Sequence, residues 1–486
     1  MTGIRKIPPL MAVAAALFIG LGASAVAAPV CTPAKGSVDT ACPSAWLSLG
    51  ARERKAVENY ATRYKAFMGK AKTELSYVTE AIRLARQAGF KKLTATSELT
   101  PGARYYDVNR DRAMALIVIG NQPMARGFRL VASHIDSPRL ELKGRPLYET
   151  ERFALFQTNF HGGIKNYQWT SLPLALMGRI DLKNGKTIHI SVGNKPGEPV
   201  FVIPELSPHV SGQLRKRKAT EAIAKEELDP LVGHIPDRQS GDVKVAVIAY
   251  LRKTYGIGLN DLVSAELALV PAYPPHDVGF DRGMMAIYGQ DDRLSAYASL
   301  IAIKGQKTPP RTSIAYMIDN EEVGNVNNTG ASSTYLYDLL EKLLYQKHGA
   351  AYRAPMLKAA ARATQVLSTD VNPGVNPIWP SAWELGNAPR LGYGVNIKLY
   401  GRGFNANSEF TAHMRKVFDD AGIPWQTSTY KVAGGGGGTV GREFSRLNME
   451  VIDIGVPVLS IHTPYSISSK VDAYWLSKAM TTFFSH

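Results

Sequence analysis

The spacing of hydrophobic positions divides the chain into helical and strand-forming regions. Between Ser44 and Phe90, apolar residues recur at helical spacing, which predicts amphipathic helices that end near Gly89. From Met114 onward, short apolar runs alternate with helical patterns, and several of these runs end in polar residues. This alternation is typical of an α/β domain.

Residues 145–276 follow a different pattern, in which short strand-like runs predominate. The runs are Thr187–Val192, Val200–Ile203, Val243–Ile248 and Ala265–Val270. Beyond this region the α/β pattern returns, with a helix predicted to start near Asp292. We therefore predict a β-rich domain at 145–276, inserted between the two parts of a discontinuous α/β domain at 28–144 and 277–486.

Residues of the types that bind metals stand at the ends of several predicted strands. The pairs of strand and following residue are Phe128–Ser133 with His134 and Asp136, Thr312–Ile318 with the acidic cluster Asp319–Glu322, Val366–Thr369 with Asp370, and Val458–Ile461 with His462. Asp291 directly precedes the helix predicted near Asp292. Because sites in open α/β sheets form at the carboxyl ends of strands, we expect these side chains to converge.

The chemistry of this set favours a pair of divalent cations. Two histidines and three carboxylates suit zinc, with cobalt and manganese as alternatives. Two cations about 3.5–4 Å apart can clamp a hydroxide and polarise a carbonyl group together. The adjacent Glu321 and Glu322 offer one proton acceptor and one ligand. The set therefore indicates a metallohydrolase, although each residue alone is a weak signal.

Length and charge add limits to this picture. A chain of 486 residues is long enough for two domains. The net charge is +16, but the basic residues are scattered, and their densest cluster, Arg215–Lys218, contains no aromatic residue. We interpret that cluster as a solvated surface and expect no nucleic-acid partner.

The N-terminus has the features of a secretory signal peptide. Basic residues precede an apolar stretch from Leu10 to Leu21, and Ala25-Val26-Ala27 forms a small-x-small cleavage site. We predict a signal peptide at 1–27, a periplasmic or secreted protein, and no stable membrane anchor after cleavage. An uncleaved anchor is the alternative. Cys31 and Cys42 follow the cleavage site and could form one disulfide in an oxidising compartment.

Long stretches of the chain resemble a known family. They include AKTELSYVTEAIRLARQAGF, SHIDSPRLELK, HGGIKNYQWTSLPLALMGRI, IPELSPH, YGQDDRLSAYASL, IDNEEVGNVNNTGASS, STDVNPGVNP and GGGGGTVGREFSRLNMEVIDIGVPVLSIHTPYSISSKVDAYW. In this order, from about Glu53 to the C-terminus, the chain is similar to the aminopeptidase I family of metallopeptidases, which includes aspartyl aminopeptidase. It resembles the aminopeptidase I branch more closely.

The resemblance implies a fold and a role for each site residue. It implies an α/β/α zinc-peptidase domain with an inserted β-rich dimerisation domain, and an enzyme that removes N-terminal residues from peptides. By this resemblance, His134 and Asp370 bind one metal ion, Glu322 and His462 bind the other, and Asp291 bridges the two. Glu321 is then the general base and acid, and Asp136 orients His134 from outside the ligand shell.

The resemblance also implies an assembly. In the family, a histidine of the dimerisation domain reaches the active site of the partner subunit, and IPELSPH places that histidine at His209. Family members form homo-oligomers in which dimers assemble into dodecamers. We therefore expect a homo-oligomer with peptides as substrates.

Two features depart from the family pattern. The aspartyl branch has histidines after its aspartate ligand, whereas this chain has the segment 371–377 without histidine, which argues against a strict preference for acidic N-termini. The signal peptide is unusual because most relatives are intracellular.

Two other functions remain open from the residues alone. One is a carboxypeptidase or amide deacylase on a related scaffold, for which Arg402 or Arg442 could hold a substrate carboxylate. The other is an exported binding protein without turnover, which would have little reason to retain Glu321 beside a complete ligand set.

Overall fold

The computed structural model describes residues 44–401, 404–431 and 437–486. The predicted signal peptide, both cysteines, Arg402 and most of the glycine run at 434–438 lie outside the described residues. The helices are α1 (Ala51–Met68), α2 (Glu74–Gln87), α3 (Val243–Tyr255), α4 (Gln290–Lys304), α5 (Tyr335–His348), α6 (Ala354–Arg362), α7 (Ser408–Asp420), α8 (Gly441–Ser445) and α9 (Lys470–Ser485).

The strands are named in chain order. They are β1 (Lys91–Lys92), β2 (Arg104–Asn109), β3 (Ala113–Val118), β4 (Arg129–His134), β5 (Arg139–Thr150), β6 (Phe153–His161), β7 (Leu174–Asp181), β8 (Thr187–Val192), β9 (Leu231–Gly233), β10 (Ala265–Pro271), β11 (His276–Val278), β12 (Met284–Ile287), β13 (Ser313–Ile318), β14 (Gln365–Thr369), β15 (Asn372–Pro373), β16 (Val395–Lys398), β17 (Tyr400–Gly401), β18 (Phe404–Asn405), β19 (Trp425–Ser428), β20 (Glu450–Gly455), β21 (Pro457–Leu459) and β22 (Ser466–Ser469).

A nine-stranded mixed sheet forms the centre of the molecule. Its order is β1-β2-β3-β13-β4-β14-β20-β16-β19, and the neighbours β13, β4, β14 and β20 run parallel to one another. Strands β4, β13 and β14 are buried along almost their whole length, which explains their continuous apolar runs. The predicted α/β class is confirmed.

Helices cover both faces of this sheet. One apolar core joins alternate sheet residues such as Val131 and Leu367 to α1, α2, α4, α7 and α9. The other core joins the intervening residues, such as Leu130 and Val366, to α5, α6 and α8. Successive side chains of each strand point to opposite faces of the sheet and pack against two separate layers of helices, which gives an α/β/α sandwich.

A separate six-stranded antiparallel sheet forms between Arg139 and Pro271. Its order is β8-β7-β10-β5-β6-β9, and it has its own apolar core, which includes the fully buried Trp169. This sheet corresponds to the predicted β-rich insertion, although its first strand starts at Arg139, before the predicted boundary at 145. A five-stranded sheet of order β11-β12-β22-β21-β15 adjoins the central sheet.

Three predicted strands differ in the structure. Val243–Ile248 is the start of helix α3, not a strand. Its β-branched residues suggested a strand, but Val243, Val247 and Leu251 recur every four residues and pack on the core of the six-stranded sheet. Gly256, with φ +69°, then ends the helix in the left-handed conformation.

The other two differences are smaller. Val200–Ile203 makes only isolated bridges, from Phe201 to Leu174 and from Val202 to Leu231. Val458–Ile461 is strand only to Leu459, so two loop residues separate His462 from the strand end. Among the described residues, no helix combines the length and the apolar character that crossing a bilayer requires.

Candidate metal centre

Three parallel strands of the central sheet deliver most of the candidate ligands. His134 is the last residue of β4, Asp370 directly follows β14, and Glu321 and Glu322 lie just beyond β13. Strand β4 lies between β13 and β14 and runs parallel to both. The carboxyl ends of these strands therefore meet at one edge, and their polar side chains point into the same crevice.

The other two ligands come from the neighbouring five-stranded sheet. Asp291 lies at the start of α4, just after β12, and His462 lies in the loop between β21 and β22. His462 has φ +62°, a conformation that non-glycine residues rarely adopt and that is often found at functional sites. The crevice is thus formed where the two sheets meet.

Asp291 lies between the two histidines. Its Oδ1 is 3.2 Å from Nε2 of His134, and its Oδ2 is 3.1 Å from Nε2 of His462. Oδ1 of Asp370 is 3.6 Å from the same nitrogen of His134, and Oε1 of Glu322 is 3.3 Å from the same nitrogen of His462. Each carboxylate oxygen of Asp291 therefore faces its own set of ligand atoms.

These atoms form two groups that share one residue. In the first group, ligand atoms of His134, Asp291 and Asp370 lie within 4.8 Å of one another. In the second group, the same holds for Asp291, Glu322 and His462. The five residues predicted as ligands from the sequence are thus brought together, and Asp291 occupies the position that a bridging carboxylate needs.

The chemistry of the crevice fits two cations. Oε1 of Glu322 and Oδ1 of Asp370 are buried and have no hydrogen-bond partner among the described residues. Buried carboxylate oxygens without partners are costly unless a cation compensates them. Histidine nitrogens and carboxylate oxygens are also the donors that zinc prefers in proteins.

Burial and mutual repulsion disturb the pKa of each carboxyl group in the centre. Burial raises the pKa of Glu322 and of Asp370, and the nearby Asp291 raises each further. Burial also opposes ionisation of Asp291, but its hydrogen bonds with His134 and His462 hold its pKa well below the ordinary value. Of the three candidate ligand carboxyl groups, the one between the two histidines is therefore the most readily ionised.

Glu321 lies beside the ligands without belonging to either group. Its Oε2 is 3.8 Å from Nε2 of His134, and its side chain is largely buried. Burial, together with the carboxylates of Asp370 and Asp291 and against the opposing effect of His134, raises the pKa of Glu321 to about 8. A carboxyl group with such a pKa is suited to exchange protons near neutral pH.

Asp136 connects the ligand His134 to the acidic pair. Its Oδ1 accepts from Nδ1 of His134 at 3.2 Å and from the backbone N–H of Glu321 at 3.1 Å. Its Oδ2 accepts from the backbone N–H of Glu322 at 3.1 Å. The position predicted for Asp136, outside the ligand shell, agrees with these contacts.

Two further residues were not anticipated from the sequence. Lys398, at the end of β16, is buried with its Nζ 4.0 Å from Oδ2 of Asp370. His161, at the end of β6, has its Nε2 2.8 Å from Oδ2 of Asp136. Neither residue stands next to another candidate ligand in the sequence, so only the three-dimensional structure shows that they lie beside the centre.

His209 lies apart from this set. It is exposed in a turn between β8 and β9. Within the described chain, none of the ion pairs that connect the candidate ligands includes His209. A single subunit therefore leaves its predicted role open.

Comparisons with known proteins agree with this geometry. The family model described as aminopeptidase I zinc metalloprotease (M18) matches residues 67–484. A Borrelia garinii subsp. bavariensis protein named probable M18 family aminopeptidase 1 is 36% identical over 450 residues, which cover 90% of this chain and 98% of that protein.

Solved structures show the same similarity. The crystal structure of an M18 family aminopeptidase from Thermotoga maritima matches with a TM-score of 0.87 and 37% identity, covering 91% of this chain and 99% of that one. The S. cerevisiae mApe1 dodecamer matches with a TM-score of 0.73 and 23% identity, covering 89% and 97% of the two chains, and so shares the fold.

The protonation of the metal-free centre predicts proton release on metal binding. Although burial opposes protonation of His462, its hydrogen bond with Asp291 and the charge of Glu322 raise its pKa to about 10. At neutral pH the metal-free His462 is therefore protonated, and a cation must displace that proton. We expect zinc binding near pH 7 to release protons, and the apparent affinity to rise from about pH 6 to about pH 8 as proton competition falls.

Calorimetric titration of metal-free protein with zinc, in buffers that differ in ionisation enthalpy, measures the number of protons released. Binding without proton release, or an affinity that falls with rising pH, would contradict the assignment of His462 as a ligand.

Proposed function

The chain belongs to the aminopeptidase I (M18) family of zinc metalloproteases, and from that premise we propose that it is an exported aminopeptidase with two metal ions in each subunit. Its activity as a zinc metallo-aminopeptidase follows from the family. The observation that carries the two-metal proposal is Asp291, whose two oxygens face two separate ligand groups.

The ligand assignment follows these groups. His134 and Asp370 would hold one ion, Glu322 and His462 would hold the other, and Asp291 would bridge them. Zinc fits this mixed nitrogen and oxygen set, and cobalt or manganese would be tolerated. When bound, two such cations lower the pKa of water and polarise a carbonyl group.

Glu321 supplies the proton transfers of the reaction. From its position next to His134, its carboxylate can accept a proton from the attacking water and then donate that proton to the amine of the departing peptide. The backbone N–H of Glu321 donates to Asp136, so the main chain that carries this base is fixed by the same residue that orients His134.

The alternatives considered from the sequence are less well supported. A binding protein without turnover is at odds with the family and with a buried Glu321 beside the ligand groups. A carboxypeptidase would need a cation to hold the substrate carboxylate. Arg442 lies in α8 and belongs to neither of the two ligand groups found among the described residues.

The function is tested with Glu321→Gln on a peptide that has a free amino terminus. The amide keeps the shape of the side chain but cannot accept a proton, so we expect turnover to fall by about two to four orders of magnitude. Metal content, measured by atomic emission, should remain that of the wild type because Glu321 is not a ligand.

Glu322→Gln is the matched control, since it makes the same chemical change at the neighbouring residue. We expect it to lower metal content, because an uncharged amide is a poor zinc ligand. Wild-type enzyme should cleave the free-amine peptide and spare its N-acetylated form. Activity of Glu321→Gln within a few-fold of wild type, or equal cleavage of both peptides, would sink the proposal.

We further propose that His209 of a neighbouring subunit completes each active site. His209 is exposed in the segment between β8 and β9 of the six-stranded sheet, where a partner subunit could receive it. An imidazole near the scissile carbonyl would stabilise the developing oxyanion. The similarity to the mApe1 dodecamer supports an assembly of dimers into dodecamers for this chain too.

Complementation tests the shared site. We expect His209→Ala to reduce turnover by about a hundred- to thousand-fold, as removal of an oxyanion donor typically does. Mixing inactive Glu321→Gln and His209→Ala subunits under conditions of exchange should restore activity, since a mixed dimer pairs an intact base with an intact histidine. Full activity of His209→Ala alone, or no recovery despite demonstrated exchange, would refute the proposal.

Export is proposed from the N-terminal sequence. We expect cleavage after Ala27 and a disulfide between Cys31 and Cys42 in the mature protein, which would be periplasmic or secreted. Intact-mass spectrometry of protein from a secreting host, before and after reduction, measures both features. A chain that still begins at Met1, or two free thiols, would count against export.

A further inference from the structure

The tripeptide His161-Gly162-Gly163 reaches the candidate metal centre from the six-stranded sheet. His161 is the last residue of strand β6, and the two glycines follow it. Strand β6 belongs to the six-stranded sheet of the insertion. The tripeptide nevertheless contacts residues on both sides of the centre. Three contacts define what it does there.

The first contact is between His161 and Asp136. Nε2 of His161 donates to Oδ2 of Asp136 at 2.8 Å, and both side chains are buried. Asp136 is the acceptor that holds His134 and the backbone of Glu321 and Glu322. His161 therefore supplies the remaining donor to the carboxylate on which these three residues depend.

His161 is itself held from the other side. Its Nδ1 lies 3.3 Å from Oε1 of Glu141, and Arg139 contacts the same oxygen at 2.9 Å. Burial and Arg139 oppose protonation of His161, but its hydrogen bonds with Asp136 and Glu141 outweigh them and raise its pKa to about 9. Both ring nitrogens then carry a proton, and the ring bridges the two carboxylates.

The second contact is between Gly163 and the other histidine of the centre. The carbonyl oxygen of Gly163 accepts from Nδ1 of His462 at 2.8 Å. This hydrogen bond leaves Nε2 of His462 directed at Asp291 and Glu322. A histidine that binds zinc commonly donates its outer N–H in this manner, which fixes the orientation of the ring.

The third contact is the close approach of Gly162 to Glu322. Gly162 has φ +71°, and a Cβ atom at this position would lie 2.9 Å from Oε2 and 3.1 Å from Cβ of Glu322. A side chain at position 162 would therefore displace Glu322, and the backbone conformation also favours glycine. The tripeptide thus limits the space that Glu322 can occupy.

We propose that His161-Gly162-Gly163 is a positioning element through which the inserted sheet orients His134, His462 and Glu322 of its own subunit for metal binding. The inference rests on the proposed two-metal function and adds to it a contribution from the insertion in cis, distinct from that of His209. None of the three residues is a ligand. Their effect passes through Asp136, through the His462 ring and through the space around Glu322.

The test measures zinc release from the full-length, zinc-loaded protein into excess chelator, followed with a zinc-sensitive dye. We expect His161→Ala to release zinc faster than wild type, because Asp136, the partner of His134, loses a donor. The increase should reach at most the factor of about 10 to 100 by which loss of an outer-shell partner of a ligand weakens metal binding. His161→Gln keeps an N–H that can donate to Asp136, so its release rate should lie between the two. His189→Ala is the control, since His189 is exposed on β8 of the same sheet.

Gly162→Ala tests the same element without removing a hydrogen bond, and it carries the test should His161→Ala fail to fold. We expect faster zinc release here as well, because the added methyl group displaces Glu322. The melting temperature of metal-free Gly162→Ala should stay close to that of His189→Ala, since the added methyl group acts on Glu322. Metal-free His161→Ala should melt lower, because Asp136 and Glu141 lose the buried donor that they share.

Zinc release at the wild-type rate from both His161→Gln and Gly162→Ala would overturn the inference. The inference would also be overturned if His161→Gln released zinc as fast as His161→Ala and the faster release were fully accounted for by the lower stability of the metal-free His161→Ala protein. Failure of the proposed function is separable, because the wild-type protein itself would then bind no zinc or show no chelator-sensitive cleavage of peptides.

Discussion

The carboxylate of Asp291, held between His134 and His462, is the interaction on which the rest of the centre depends. Each of its oxygens faces a separate imidazole, and Asp370 and Glu322 complete the two groups. Four carboxyl groups are collected in one crevice, where burial first, and then their mutual repulsion, raises the pKa values of Glu321, Glu322 and Asp370. Such a cluster is costly to bury unless cations are bound within it.

The fold meets this constraint by joining two sheets at one crevice. Parallel strands β4, β13 and β14 bring His134, Asp370 and the Glu321–Glu322 pair to one edge, and the five-stranded sheet brings Asp291 and His462 to the opposite side. The six-stranded insertion also contributes, since the carbonyl of Gly163 accepts from Nδ1 of His462 and His161 donates to Asp136, the hydrogen-bond partner of His134. The five candidate ligands therefore come from segments that are distant in sequence.

Much of this arrangement could be predicted from the sequence, because strand ends marked by a histidine or an acid are local features. His134 and Asp370 are in this class, and the resemblance to a family then supplied the bridging role of Asp291 and the division of roles between Glu321 and Glu322. The helix at Val243 was missed because β-branched residues obscured its four-residue repeat, which is decided by packing on the inserted sheet. His161 and Lys398 carry no local signal, since their partners Asp136 and Asp370 lie far away in sequence.

The central claim is that one carboxylate is shared by two metal ions. The most direct measurement is the zinc content of purified wild-type protein compared with that of Asp291→Asn and Asp370→Asn. If Asp291 bridges the ions, the wild type holds two per chain, Asp370→Asn retains the ion near His462, and Asp291→Asn falls below one. An Asp291→Asn protein that retains both ions, or a wild type that saturates with one, would contradict the shared-carboxylate centre.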